Sequence, residues 1–167
     1  MKYFVVVIIL GAIGLGYLAM FLISTAPHDP AEWHMDPLAV ETCTTPNCFR
    51  MAPAGSTDER IDAISPIYGE SALVLAQAFD EFALTQRATH RIAGLPPEQM
   101  MTYVQTTEKI KAPDYLTIKF ISLEDGRSTI AVYSRARFGY GDLGVNEERV
   151  RRWVKTLESF EVVPGEG

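Results

Sequence analysis

Residues 115–138 read 115-YLTIKFISLEDGRSTIAVYSRARF-138. Two runs, Tyr115–Leu123 and Ser128–Phe138, are rich in β-branched and aromatic residues. Between them stands Glu124-Asp125-Gly126-Arg127. Asp-Gly is the preferred pair for a two-residue type I′ turn, so the stretch reads as a β-hairpin. Leu116, Ile118 and Phe120 fall on one face, because strand side chains alternate. A two-residue turn sets Ala131 and Tyr133 opposite Phe120 and Ile118 on that face.

The flanking sequence adds to the hairpin. Met101–Lys109 reads as a further strand, rich in Thr, Tyr and Val. Thr89–Ala93 reads as a short one, set off by the break Gly94-Leu95-Pro96-Pro97. Ser71 caps a predicted helix over 71–85, with Ala72, Leu75, Phe79 and Phe82 on one stripe. A last helix starts near Asn146, which suits an N-cap, with Glu147 and Glu148 in the first turn. Its stripe is Val150, Trp153, Val154, Leu157 and Phe160. Helices flanking three or four strands imply an α+β domain of two layers, an antiparallel sheet with helices packed on one face.

The chain has 167 residues, enough for one domain. It is 47% hydrophobic and carries a net charge of −6. The apolar content excludes a disordered chain. The acidity argues against a nucleic-acid partner, which demands a basic surface. From Tyr3 to Pro27 there is no charged side chain. As a helix, Phe4–Ser24 spans ~30 Å, the thickness of a bilayer's hydrocarbon core. The run exceeds the apolar core of a cleavable signal, although Ser24-Thr25-Ala26 offers a cleavage site. Residues 1–25 are therefore expected to be a transmembrane anchor, contacting the membrane through residues 4–24. Lys2 lies before the span, and His28, Asp29 and Glu32 lie after it. The positive-inside rule then gives a single-pass protein of the inner (plasma) membrane, its C-terminal domain on the periplasmic or exterior side. Ala12 and Gly16 form a small-xxx-small pair, so a module that organises other membrane proteins through this helix is a third reading. Residues 26–66, punctuated by Pro27, Pro30, Pro37, Pro46, Pro53 and Pro66, read as an irregular leading segment. The α+β domain proper is expected over 67–160.

Chemistry is sparse. Cys43 and Cys48 form C-x4-C downstream of His28 and His34. In an oxidising compartment they can close a disulfide; they can also remain free thiols or ligate zinc or copper with a histidine. The spacing is not that of a tight metal motif, so no metal and no cofactor are assigned. No nucleophile elbow, Walker loop or zincin helix is present. His90 lies in the expected core without a serine selected for it. The densest polar run is 133–146, from Tyr133 to Asn146. Arg135 and Arg137 are two apart and share a strand face. Two guanidiniums can grip a carboxylate or phosphate, and the next helix N-terminus adds backbone donors. Ser134, Arg135, Arg137, Asp142, Asn146 and Asp114 are the candidate ligand-binding residues. The plainer alternative pairs Arg135 with Asp142 or Asp114.

This run resembles the Domain of Unknown Function 1499 family. The resemblance rests on Pro113-Asp114, Ser134-Arg135-Ala136-Arg137, the stretch Gly139-Tyr140-Gly141-Asp142-Leu143-Gly144-Val145-Asn146, and Arg149. Pro46-Asn47, beside Cys48, resembles a further landmark, and the likeness spans roughly residues 33–157. Ala136 departs from the usual serine. The resemblance implies a membrane-associated or exported domain and supplies no reaction. The expected function is a non-catalytic binding module for a protein partner or a small anionic ligand. The alternative is a hydrolase or lyase for an anionic metabolite, with Asp114 or Asp142 as acid or base and Arg135 and Arg137 holding the substrate.

Overall fold

The computed structural model describes residues 2–108 and 110–162. Helix α1, Lys2–Ser24, stands apart from the body, and none of Tyr3–Ser24 is buried in it. It is the one helix among the described residues long and apolar enough to cross a membrane. A single turn, α2 (Pro30–Trp33), follows; Asp29 caps it by accepting the Ala31 N–H at 2.9 Å.

The body is α+β. In chain order come β1 (Cys48–Ala52), β2 (Ala63–Ile64), β3 (Ile67–Tyr68), α3 (Ala72–Thr85), β4 (Thr89–Ala93), β5 (Met100–Thr106), β6 (Pro113–Ser122), β7 (Ser128–Ala136) and α4 (Val145–Val154). A 3-10 turn, Lys155–Phe160, extends α4. The strands form one sheet in the order β2-β1-β7-β6-β5-β4, with β3 also pairing β7. All neighbours are antiparallel except β1 and β2, which run parallel. Ser71 caps α3, its hydroxyl accepting from Val74 N.

The hairpin β6–β7 is present, but its register differs by one residue from the two-residue-turn expectation. Phe120 pairs with Ile130 and Ile118 with Val132. The reason lies in the turn. The Gly126 N–H donates to Leu123 O at 3.2 Å, and the Leu123 N–H donates to Arg127 O at 2.8 Å. Gly126 has φ +83°. The loop is thus three residues long, a tight turn ending in a left-handed glycine. A one-residue slip exchanges the faces of a strand. Ile130, Val132 and Ser134 therefore join Leu116, Ile118 and Phe120, while Tyr133 and Arg135 turn to the opposite face.

The inner face packs against α3 and α4. Phe79, Tyr103, Phe120 and Trp153 meet there, with ring centroids about 6 Å apart from Phe79 to each of the others. Such tilted and edge-on pairs suit the aromatic quadrupole.

Residues 26–66 depart from a wholly irregular segment. Cys48–Ala52 forms β1 and pairs with β7 through Cys48–Arg135, Phe49–Ser134, Arg50–Tyr133 and Met51–Val132. Residues 27–47 form a strap over the outer face. They climb from Pro27, beside Arg137, through His34 at Thr102, to Asp36 at Lys119. They return past Arg50, whose Nη2 donates to Val40 O and Glu41 O, down to Asn47 O, which accepts the Ala136 N–H at 2.9 Å.

Candidate functional site: two polar clusters on opposite faces of the sheet

The residues expected to form one anion pocket are divided by the sheet. Strand alternation sends Asp114 and Ser134 to the helical side and Tyr115 and Arg135 to the strap side. Each group then builds its own cluster.

On the helical side the centre is Arg149, from α4. Its Nη2 donates to Asp114 Oδ2 at 2.6 Å. Its Nη1 donates to Asn146 Oδ1 at 2.6 Å, and its Nε to Gln105 Oε1 at 2.8 Å. Only 5% of the Arg149 side chain and 8% of that of Asp114 is exposed, so the pair is buried. Ser134 donates to the same Asn146 oxygen at 2.6 Å. Burial raises the Asp114 carboxyl above the usual carboxylate range; Arg149 opposes this, and Asp142 adds to it.

Asn146 is not the N-cap of α4. It lies inside the first turn, fully buried, and its Nδ2 donates to Asp142 Oδ2 at 2.6 Å and to Asn47 O at 3.2 Å. Asp142 performs the capping, accepting the Gly144 N–H at 3.0 Å and the Asn146 N–H at 2.8 Å. Arg135 pairs with neither Asp114 nor Asp142.

On the strap side the centre is Trp33. It stacks on Tyr115 with ring centroids 3.7 Å apart and planes 13° from parallel. The Arg135 guanidinium carbon lies 4.3 Å from the Trp33 ring centroid, and that of Arg137 lies 5.3 Å away. Arg135 Nη2 donates to Glu32 O at 3.3 Å. Arg137 Nη1 donates to Pro27 O and, at 3.2 Å, to Tyr115 Oη. Both guanidiniums thus hold the chain's own strap by carbonyl hydrogen bonds and cation–π contact. His28 Nδ1 lies 2.8 Å from Tyr115 Oη and His34 Nδ1 2.8 Å from Thr102 Oγ1.

Cys43 and Cys48 are joined as a disulfide, which clips the strap's return to the start of β1. Cys43 Sγ lies 2.9 Å from Tyr133 Oη. With both sulfurs bonded and both upstream histidines engaged on the sheet, the described residues assemble no Cys–His ligand set. His90 sits exposed on β4, paired with Val104, and its charge reaches His28 of the strap-side cluster.

Two cavities flank the helical cluster. One, of about 310 Å³, is bordered by Arg87, Gln105, Thr107, Glu108 and Arg149. The other, of about 420 Å³, is bordered by Cys48, Arg60, Asp62, Asp142 and Glu147. Their carboxylates are engaged: Glu108 with Arg87, Asp62 with Arg60, Glu147 with Arg151, and Asp142 with the first turn of α4.

Sequence reasoning missed Trp33, Tyr115 and Gln105, and marked Asn47 only as a family landmark without a role. All four contribute across long sequence separations, so no local spacing marks them. A lone Trp in a proline-rich segment was the available signal for the strap.

A family model described as "Protein of unknown function (DUF1499)" matches residues 39–157. No curated protein matches the chain.

Proposed function

We propose a function for a chain that belongs to the DUF1499 family: it is a membrane-tethered domain, held on the periplasmic or exterior side of the inner membrane, that binds a protein partner without catalysing a reaction. One observation carries the non-catalytic part. The candidate groups for acid–base work or for gripping an anion are engaged within the fold: Asp114 by Arg149, Asp142 by the N–H groups of α4, and Arg135 and Arg137 by the strap. The satisfied buried network around Arg149 holds this part of the fold in one shape. Two features support the tether and its side. The apolar length of α1 suits an anchor, and the Cys43–Cys48 disulfide suits an oxidising compartment. A protein is favoured over a small anion because both candidate guanidiniums already hold carbonyl oxygens.

The enzyme reading has its own support. Asp114, with its carboxyl raised by burial, lies against Arg149, and Arg149 borders the 310 Å³ cavity. Asp114 itself does not border that cavity, which weakens it as an acid for a bound metabolite.

Photo-reactive residues placed in turn at exposed positions of the full, membrane-embedded chain test the proposal. Adducts of one protein mass, confined to one patch, are expected. Absence of adducts at every position, or a small anion of constant mass retained in native mass spectrometry, overturns it.

A further inference from the structure

The connection from β7 to α4 presents apolar side chains outward. Phe138 is 40% exposed, Tyr140 75% and Leu143 fully. Leu143 also has φ +56°, a conformation uncommon for a bulky residue. The connection is held in place. Asn47 Nδ2 donates to Gly139 O at 2.8 Å, and Asp142 takes the Gly144 and Asn146 N–H groups. A braced loop that points apolar groups into solvent is shaped to meet something.

Its position says what. Helix α1 ends at Ser24, and the Pro27 carbonyl is held by Arg137, the residue just before the loop. Three residue steps reach at most ~10 Å. The Arg137 guanidinium carbon lies 5.6 Å from the Phe138 ring centroid. The apolar loop is thus pinned beside the point where the apolar helix leaves the body. Ile110, 41% exposed, and Lys111, on the β5–β6 connection, lie at the same end of the sheet. Tyrosine and other amphipathic rings favour the membrane–water boundary, and cationic side chains favour phosphate headgroups.

We infer that the loop 138–143 seats the body on the bilayer that α1 crosses, with Phe138, Tyr140 and Leu143 in the headgroup–acyl boundary. The inference rests on the membrane anchor of the proposed function. It adds a second, non-covalent contact that fixes the body's orientation and leaves the β6–β7 turn at the far end.

The test uses the full chain in bilayers of phosphatidylethanolamine and phosphatidylglycerol. An environment-sensitive fluorophore is attached through Leu143→Cys and, separately, through Glu124→Cys in the β6–β7 turn. Both positions are exposed, so neither label disturbs the core. A blue shift at position 143, with quenching by lipids spin-labelled near the headgroup, and neither effect at position 124, is expected. Equal behaviour at the two positions, or no quenching at 143 while the chain stays with alkali-washed membranes, overturns the loop contact and leaves the anchor standing. Release of the chain by the alkaline wash overturns both.

Discussion

Trp33 lies flat on Tyr115, 3.7 Å between centroids, although 82 positions separate them in the chain. This contact closes the strap against the sheet. The Arg135 guanidinium covers the ring as well. Trp33 is only 6% exposed. Trp33→Ala should cost about 3–5 kcal/mol, the usual effect of emptying a buried aromatic site. Hydrogen exchange should show residues 27–40 losing protection before the sheet does. Uniform loss across the body would show that strap and sheet open as one unit.

Arg149 and Asp114 form the central buried pair. Arg149→Met should destabilise by roughly 3–5 kcal/mol at neutral pH, because it leaves a buried carboxylate alone. Asp114 is already easier to protonate in the folded chain than in the unfolded one. Its share of stability is therefore present below the usual carboxylate pKa and is lost as pH rises through the folded value. In Arg149→Met this trend should steepen, so the variant should regain stability on acidification. Urea unfolding at several pH values checks it.

The strap should loosen in acid. Burial, then Arg137, then His90, lower the His28 pKa below its ordinary 6.5. The unfolded chain takes up the His28 proton first, so this contribution is lost as pH falls below 6.5 through the folded value. Asp36 adds to the effect at lower pH. Burial raises its pKa, but the Lys119 hydrogen bond, the Leu38 N–H and the Lys119 charge together hold it below the usual range. Its contribution is present above the unfolded pKa and lost as pH falls through the folded one. His28→Gln and Asp36→Asn should each flatten the pH dependence of strap protection.

The disulfide closes a short loop, with Cys43 and Cys48 five positions apart. Chain-entropy arguments give it about 2 kcal/mol. Cys43→Ser with Cys48→Ser should lower the melting temperature by a few degrees, and reductant should then have no further effect. A variant that melts like the native chain would place the constraint in the strap contacts instead.

Gly94 tolerates no side chain. A Cβ there would sit 1.9 Å from the Met100 carbonyl oxygen, and φ is +76°. Gly94→Ala should destabilise by more than 1 kcal/mol through displacement of the β4–β5 connection. Denaturant melts of the variant measure this directly.

Elements with a strong local pattern were legible from the residues alone. Ser71 and its stripe placed α3, and Thr89–Ala93 gave β4 with its observed ends. The hairpin was legible and its register was not, because Asp125-Gly126 suits two turn types that differ by one residue. That single step decided the site. It turned Arg135 to the face opposite Asp114, brought Ser134 to the face of Asp114, and split the expected pocket into two clusters. Strand β1 was hidden for another reason. Its five residues include the buried Arg50 among breakers, and its partner β7 lies some eighty positions later. Pairings of such range leave no periodic trace.

The strap has a consequence for the order of assembly. The ribosome makes residues 27–47 first, yet Arg137 lies 110 positions beyond Pro27 and Arg135 103 beyond Glu32. This stretch of the body must wait, unseated, until β7 has been synthesised. The final latch of this fold is its own beginning.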